Sequence, residues 1–300
     1  MIPGITVDFN ELLALSQYVQ KALMHKAIRP ASFFGEHTSK TCSRGMDFAE
    51  SRHYQFGDDV KRMEWRSTAR TGKPHVKVYH EEKEVPVIIL VDFNSSMYFG
   101  TRIMFKSVVA AKLAACLAWA ASKQGDRVGG LLSAATHHDE YAPRGRDLGV
   151  LPLLKGLCQY TEKLESDSSS LVKSLLRLQS VARSGSVLVV IGDFYNFDAD
   201  SAKIFQHLKL KYNLLVYQIF DALELTLPQA GCYTVTDGNN TNIWDTTSMV
   251  TQVAYQKLII KRSTELKDFC LKNRINYNKV TASDDLAQLV CRTFVRRAHD

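Results

Sequence analysis

Three segments of this 300-residue chain are apolar along nearly their whole length: VPVIILVDF (85–93), SVLVVIGDF (186–194) and NLLVYQIFD (213–221). A strand with one face in water alternates apolar and polar residues. A strand covered on both faces has no such constraint and reads as a continuous run. Between and after these runs lie stretches of helical pattern, at 104–123, 147–163, 170–182, 200–211 and 249–272. Buried strands alternating with helices predict an α/β fold: a doubly wound, mostly parallel sheet with helices on both faces. RVGGLLSA is a further strand, with HDEYAP placed to pair back on it, and CYTVTD with TNIWDT reads as a hairpin. INYNKVT is a short strand, and DDLAQLVCRTFVRRA a last helix with an acidic start.

Everything before Val85 reads differently. Residues 8–25 predict a helix, with Asp8 and Glu11 at capping-box spacing and an apolar stripe of Phe9, Leu12, Leu13, Leu15 and Val19. Residues 27–50 are polar and irregular. Gly57-Asp58-Asp59 is a turn signal, and HVKVY alternates in period two as a strand does. The expected division is therefore an appendage over 1–84 and an α/β domain over 85–300.

Composition narrows the class of protein. At 45% hydrophobic and 23% charged residues the chain is that of a globular protein. Its six cysteines (42, 116, 158, 232, 270 and 291) are scattered without CxxC spacing, which fits free thiols in a reducing compartment. MIPGITVDFNELL does not read as a signal peptide. The Ala-rich segment MFKSVVAAKLAACLAWAASK is interrupted by Lys106 and Lys112 and reads as a buried helix, not a membrane span. These features point to the cytoplasm. A net charge of +7 permits nucleic-acid contact, but the basic residues are interleaved with acids and form no patch, which speaks against it.

Two of the buried strands end in an acid. VPVIILV runs into Asp92 and SVLVVIG into Asp193. Ligands of open parallel sheets bind outside the carboxyl ends of the strands, at the switch point. If these strands are neighbours, both carboxylates meet over one crevice, where at 4 Å they repel by roughly 4 kcal/mol at an effective dielectric of 20. A cation, a basic side chain, water or a proton must offset that. Asn94 and Ser96 follow on the same side of the turn, and carboxylate, amide carbonyl and hydroxyl are the hard donors that suit Mg²⁺ or Mn²⁺. Alternatively Asn94 and Ser96 cap the next helical turn. The second acid-ended strand favours the ligand reading.

The loop D-F-N-S-S after the first strand, with a distant Asp after the fourth, resembles the metal-ion-dependent adhesion site of von Willebrand factor A domains. Upstream, Arg52, Tyr54, Gly57, Asp58, Asp59, Arg62, Trp65, Arg66, Ala69, Arg70 and Thr71 form R-x-Y-x-x-GDD-x-x-R-x-x-W-R-x-x-A-R-T. With FGT, KSVVAAKLAA, GDRVGGLL and the D-x-x-E-x-x-L-P of Asp221 to Pro228, this is similar to the bacterial domain-of-unknown-function family 58, over roughly residues 35–240. The resemblance implies a sheet in the order 3-2-1-4-5-6 with one antiparallel edge strand. It implies a metal held by Asp92, Ser96 and Asp193 with a Thr from another loop, and a MoxR-type AAA+ ATPase as partner in chaperone-like maturation of other proteins. It implies no enzyme activity. The sequence departs from the motif twice: Asn94 stands where the motif has Ser, and Ser169, flanked by Ser168 and Ser170, stands where it has Thr.

Other chemistries find less support. A haloacid-dehalogenase phosphatase needs a second Asp two residues after the first, where this chain has Asn94. No GxGxxG follows the first strand, and TGKP (71–74) lacks the rest of a phosphate loop. His137, His138, Asp139 and Glu140 alternate across a strand and read as an exposed tip. A metal-dependent hydrolase built on Asp92 and Asp193, and a metal-free scaffold, are the alternatives to a metal-dependent interaction module. The cluster of Arg52, Tyr54, Asp58, Asp59, Arg62, Trp65, Arg66 and Arg70 reads either as Arg–Asp pairs with an Arg stacked on Trp65, or as a docking surface.

Overall fold

The computed structural model describes residues 4–25, 46–56, 58–81, 84–163, 170–226, 229–236 and 241–295. Contacts divide the chain into two units, 32–84 and the remainder (1–31 with 85–300).

The larger unit opens with helix α1 (Phe9–His25). The smaller unit holds β1 (Met46–His53), a short helix α2 (Trp65–Thr71) and β2 (His75–Glu81), with β1 and β2 antiparallel. β1 begins inside the stretch expected to be irregular. The larger unit resumes with β3 (Pro86–Asp92), α3 (Lys106–Lys123), β4 (Arg127–Ser133), β5 (His138–Gly145), α4 (Asp147–Glu162) and α5 (Leu171–Val181). It continues with β6 (Val187–Gly192), α6 (Ala199–Lys211), β7 (Asn213–Phe220), the hairpin β8 (Cys232–Thr236) and β9 (Thr241–Asp245), α7 (Met249–Lys272), β10 (Asn276–Thr281) and α8 (Leu286–Val295).

The central sheet has the order β10-β7-β6-β3-β4-β5, parallel throughout except for β5, which pairs antiparallel with β4. Counting only this sheet's strands in chain order, that is 6-5-4-1-2-3, the topology that the von Willebrand factor A resemblance implies. The continuous apolar runs have the expected cause. Ile88 and Leu90 of β3 join Leu188 and Val190 of β6 and Leu214 and Val216 of β7 in a core shared with α5, α6 and α7. The alternate residues Val87, Ile89 and Val91 are equally buried, because α3 packs on the opposite face.

Helix α3 is buried almost all round, from Lys106 to Ala121 with only Lys112 less covered. The sheet covers one side, and α1, α4 and α8 pack around the rest. Small alanines let these elements approach closely. The expectation that the first helix belongs to an appendage over 1–84 is corrected here. Leu12 and Val19 are fully buried, Trp119 of α3 donates from Nε1 to the Leu12 carbonyl at 3.0 Å, and Lys112 Nζ lies 2.6 Å from Glu11 Oε1. An amphipathic helix fixes a buried stripe but not which surface covers it. Among the described residues no helix is long and apolar enough to cross a membrane.

Candidate crevice at the strand ends

β3 and β6 are neighbours, in register from Val87↔Val187 to Val91↔Ile191, so Asp92 and Asp193 leave adjacent strands at the same edge of the sheet. Asp92 and Asp193 are both buried. A Cβ added to Gly192 would lie 3.5 Å from that of Asp92, so the two strand ends run close together. Beyond Asp193 the chain turns sharply. Phe194 adopts a left-handed backbone (φ 54°), a conformation that costs a non-glycine residue about 1–2 kcal/mol. The turn brings the Tyr195 N–H to 3.1 Å from Asp193 Oδ1.

The charge that offsets Asp193 is a basic side chain. Lys106 donates from Nζ to Asp193 Oδ2 and to Glu224 Oε1, each at 2.8 Å, and its side chain is 2% exposed. Burial alone would push the Lys106 pKa down and that of Asp193 up. Together the opposing contacts outweigh it, Asp193 and Glu224 acting on Lys106, and Lys106 with Ser96 and the Tyr195 N–H acting on Asp193, so Lys106 lies above the usual lysine range and Asp193 below the usual carboxylate range. Both are ionised at neutral pH.

The remaining groups are joined into the same network. Glu224 Oε2 accepts from the Asp221 N–H at 2.9 Å, and Asp221 accepts from Thr101 Oγ1 at 2.7 Å and from its N–H at 3.0 Å. Arg262 of α7 lies 3.9 Å from Glu224 and stacks over the Tyr195 ring at 4.0 Å. Gln218 donates to the Asp193 carbonyl at 3.3 Å and accepts from the Tyr277 hydroxyl at 2.9 Å. Two stretches far apart in the chain, FGT with the nearby lysine of KSVV, and D-x-x-E, thus meet at one place.

The expected ligands divide. Asp92 and Asp193 both lie at this edge of the sheet, and Asp193 is engaged by Lys106. Asn94 caps the short helical turn Ser95–Met97, its Oδ1 accepting from the Ser95 N–H at 2.8 Å, which is the capping reading of that residue. Ser96 Oγ is buried beside Asp193 and, as a weak hydrogen-bond donor to it, helps hold its carboxyl low. Ser169 and Ser168 lie outside the described residues. Ser170 precedes α5 and is exposed.

Asp193 and Asn94 as placed do not offer free oxygens to a hard divalent cation. Mg²⁺ requires near-octahedral oxygen ligands at about 2.0–2.1 Å. Both oxygens of Asp193 are engaged by Lys106 and Tyr195, and the Asn94 carbonyl is turned to its own backbone. Among the described residues no three His, Cys, Asp or Glu side chains are grouped to hold a metal. Lys106 and Glu224 were the residues that sequence reasoning missed. The available signal was a lysine opening an Ala-rich helix, at the end where the helix dipole disfavours positive charge.

In the smaller unit, Arg52 pairs with Asp58 at 2.7 Å, Asp58 also accepts from the Gln55 N–H, and Asp59 caps the turn Val60–Arg62. The Tyr54 N–H bonds the Pro74 carbonyl. Trp65 is 67% exposed, and among the described residues no arginine is stacked on it. Arg66 and Arg70 are exposed on α2, which has no buried residue. Among the described residues one Arg–Asp pair is present and the stacking on Trp65 is not. Gly57 and the Arg62 side chain lie outside what is described.

The family model described as "Protein of unknown function DUF58" matches residues 50–265. The chain belongs to that family. The DUF58 match takes in the signature segment, both acid-ended strands, Lys106, Glu224 and Arg262. Uncharacterized protein Rv1480 of Mycobacterium tuberculosis (strain ATCC 25618 / H37Rv) is 27% identical over 209 residues, 69% of this chain and 65% of that protein. This DUF58 chain thus spans about 65% of the length of the curated relatives it matches. Among solved structures, the conserved hypothetical protein BatB from Bacteroides thetaiotaomicron aligns at 13% identity and a TM-score of 0.44, over 72% of this chain and 100% of that one. A von Willebrand factor type A structure from Catenulispora acidiphila aligns at 12% identity and a TM-score of 0.36, over 73% of this chain and 44% of that one.

Proposed function

We propose that this protein is a non-enzymatic, cytoplasmic protein-interaction module whose contact surface is the crevice at the carboxyl ends of β3 and β6. The observation that carries this reading is the contrast between the floor of the crevice and the loops around it. Asp193, Lys106, Glu224 and Asp221 are paired with one another, while the loops that hold them display Phe99 (42% exposed), Ile103 (56%) and Tyr195 (60%). Large apolar side chains held in water are the usual anchors of protein contacts. A hydrolase would need a positioned acid or base. Asp193 is a poor candidate, since one oxygen binds an ammonium and the other a backbone N–H.

The partner that the family resemblance suggests is a MoxR-type AAA+ ATPase, in chaperone-like maturation of other proteins. The exposed Phe56, Val60 and Trp65 of the smaller unit, with Arg66 and Arg70, make the signature segment a second docking candidate. The test is binding of a purified MoxR-type ATPase to the wild type, to Phe99→Ser/Ile103→Ser and to Trp65→Ala. Weaker binding by the crevice variant supports the reading. Unchanged binding by that variant, or phosphoester turnover lost in Asp193→Ala, overturns it.

A metal-dependent form of the same contact is the second reading, with Mg²⁺ or Mn²⁺ among Asp92, Asn94, Ser96, Ser169 and Asp193. The buried Ser96 hydroxyl beside Asp193 is the observation in its favour. It requires Lys106 to leave Asp193.

A further inference from the structure

Lys106 occupies one of the least favourable places this fold offers a cation. It is the first residue of an 18-residue helix, where the backbone already presents positive partial charge, and its side chain is 2% exposed. No side chain caps that helix end. A lysine there is tolerable only if its ammonium is fully compensated.

The compensation comes from two separate loops. Asp193 lies just past β6 and Glu224 in the turn past β7, and each places one carboxylate oxygen 2.8 Å from Nζ. Lys106 therefore offsets one of the two negative charges, with Arg262 3.9 Å from Glu224 facing the other, and it ties together the start of α3 and the ends of β6 and β7. Those are the two tasks a divalent cation performs at such a position. A divalent cation on Asp193 would also set two positive centres on one carboxylate, in a region with little water to screen them.

We infer that Lys106 is the resident cation of this crevice, performing the neutralising and tethering role of a metal and closing the site to Mg²⁺ and Mn²⁺ for as long as its side chain is present. The atoms left behind on its removal, the carboxylates of Asp193 and Glu224 beside the buried Ser96 hydroxyl, are hard oxygen donors of the kind those ions take. The inference refines the contact surface proposed above. A partner meeting a crevice with a built-in cation need not bring a carboxylate to complete a metal's coordination.

The experiment is a titration of the purified chain with MgCl2 and MnCl2 by calorimetry, with Mn²⁺ paramagnetic resonance as a second readout, on the wild type, Lys106→Arg and Lys106→Met. Wild type and Lys106→Arg are expected to show no saturable binding and no shift in Tm. Lys106→Met is expected to gain saturable Mn²⁺ binding and a Tm that rises with Mn²⁺. If Lys106→Met is unfolded without metal, recovery of its native circular dichroism on adding Mn²⁺ supports the inference, and persistent unfolding with Mn²⁺ counts against it. One-to-one binding by the wild type that Asp92→Ala abolishes would overturn it, as would a folded Lys106→Met that binds no Mn²⁺. No partner enters the titration, so its failure leaves the contact-surface reading to stand or fall on the ATPase binding assay.

Discussion

The ammonium of Lys106 and the carboxylate of Asp193 form a buried ion pair at 2.8 Å, joining the start of helix α3 to the end of strand β6 across 87 residues of sequence. Glu224 shares the same ammonium. The charge of Asp193 is therefore met within the chain.

Removing one member of a buried pair leaves an uncompensated charge in the interior. Lys106→Met should therefore lower stability in metal-free buffer by about 3 to 5 kcal/mol. Asp193→Leu alone strands the ammonium beside Glu224 only and should cost less. The double variant should be more stable than the sum of the single losses predicts, since neither charge is then left alone. Urea unfolding of the four proteins measures the coupling. Strict additivity would mean that the two residues do not hold each other in place.

Gly100 lets the loop before α3 fold back on itself. A methyl group there would run into the carbonyl of Met104 and the Cα of Phe105, the latter at 2.9 Å, and backbone atoms cannot rotate away. The Lys106 N–H bonds the Phe99 carbonyl at 2.9 Å across this fold. Gly100→Ala should cost about 1–3 kcal/mol, as overpacking does, and should displace Lys106. Chemical denaturation gives the first quantity. Weaker coupling between Lys106 and Asp193 in the Gly100→Ala background gives the second.

Much of this arrangement was legible in the sequence because it is local. Apolar runs such as VPVIILV mark strands buried on both faces, and an acid at the end of such a run announces a polar edge. Asp92 and Asp193 were identified on that basis, and the strand order followed from the family resemblance. Lys106 and Glu224 were not, since their pairing is a tertiary contact spanning 118 residues and no local pattern records it. The same limit applies to α1. Its stripe of Leu12 and Val19 shows that one face is buried, but only the folded chain shows that α3 lies against it.

That placement of α1 has a direct consequence. Leu12 is fully buried within the larger unit. Leu12→Ala should therefore destabilise the unit by about 2–5 kcal/mol, the range for a large-to-small core substitution. An unchanged unfolding midpoint would return α1 to the status of an appendage.

The described cysteines differ in burial. Burial pushes the thiols of Cys116 and Cys270 up to about 12, and Cys158 to about 11, so little thiolate forms at moderate pH. Cys232 is exposed. Brief alkylation of the native protein at pH 8 should label Cys232 well ahead of Cys116 and Cys270, as read by peptide mass spectrometry. Early labelling of Cys116 would mean that α3 is not enclosed as described.

Helix α6 supplies a test with a defined pH dependence. Asp198 caps it, accepting from the Ser201 N–H at 2.8 Å, while Ser201 Oγ accepts in return from the Asp198 N–H at 2.9 Å. The Ser201 N–H, followed by the Ser201 hydroxyl, holds the Asp198 carboxyl below its usual range. A carboxylate with a depressed folded-state pKa contributes stability that is fully present above its unfolded value, about 3.9, and lost as pH falls through the folded value. Asp198→Ala should therefore cost about 1 kcal/mol at pH 7, the typical worth of an N-cap. The gap between the two proteins should narrow as pH drops below about 4, where the wild-type carboxylate takes up its proton. Urea midpoints measured at intervals from pH 7 down to the acid limit of folding would show it. A gap that stays constant over that range would mean that the ionised carboxylate contributes nothing beyond its shape.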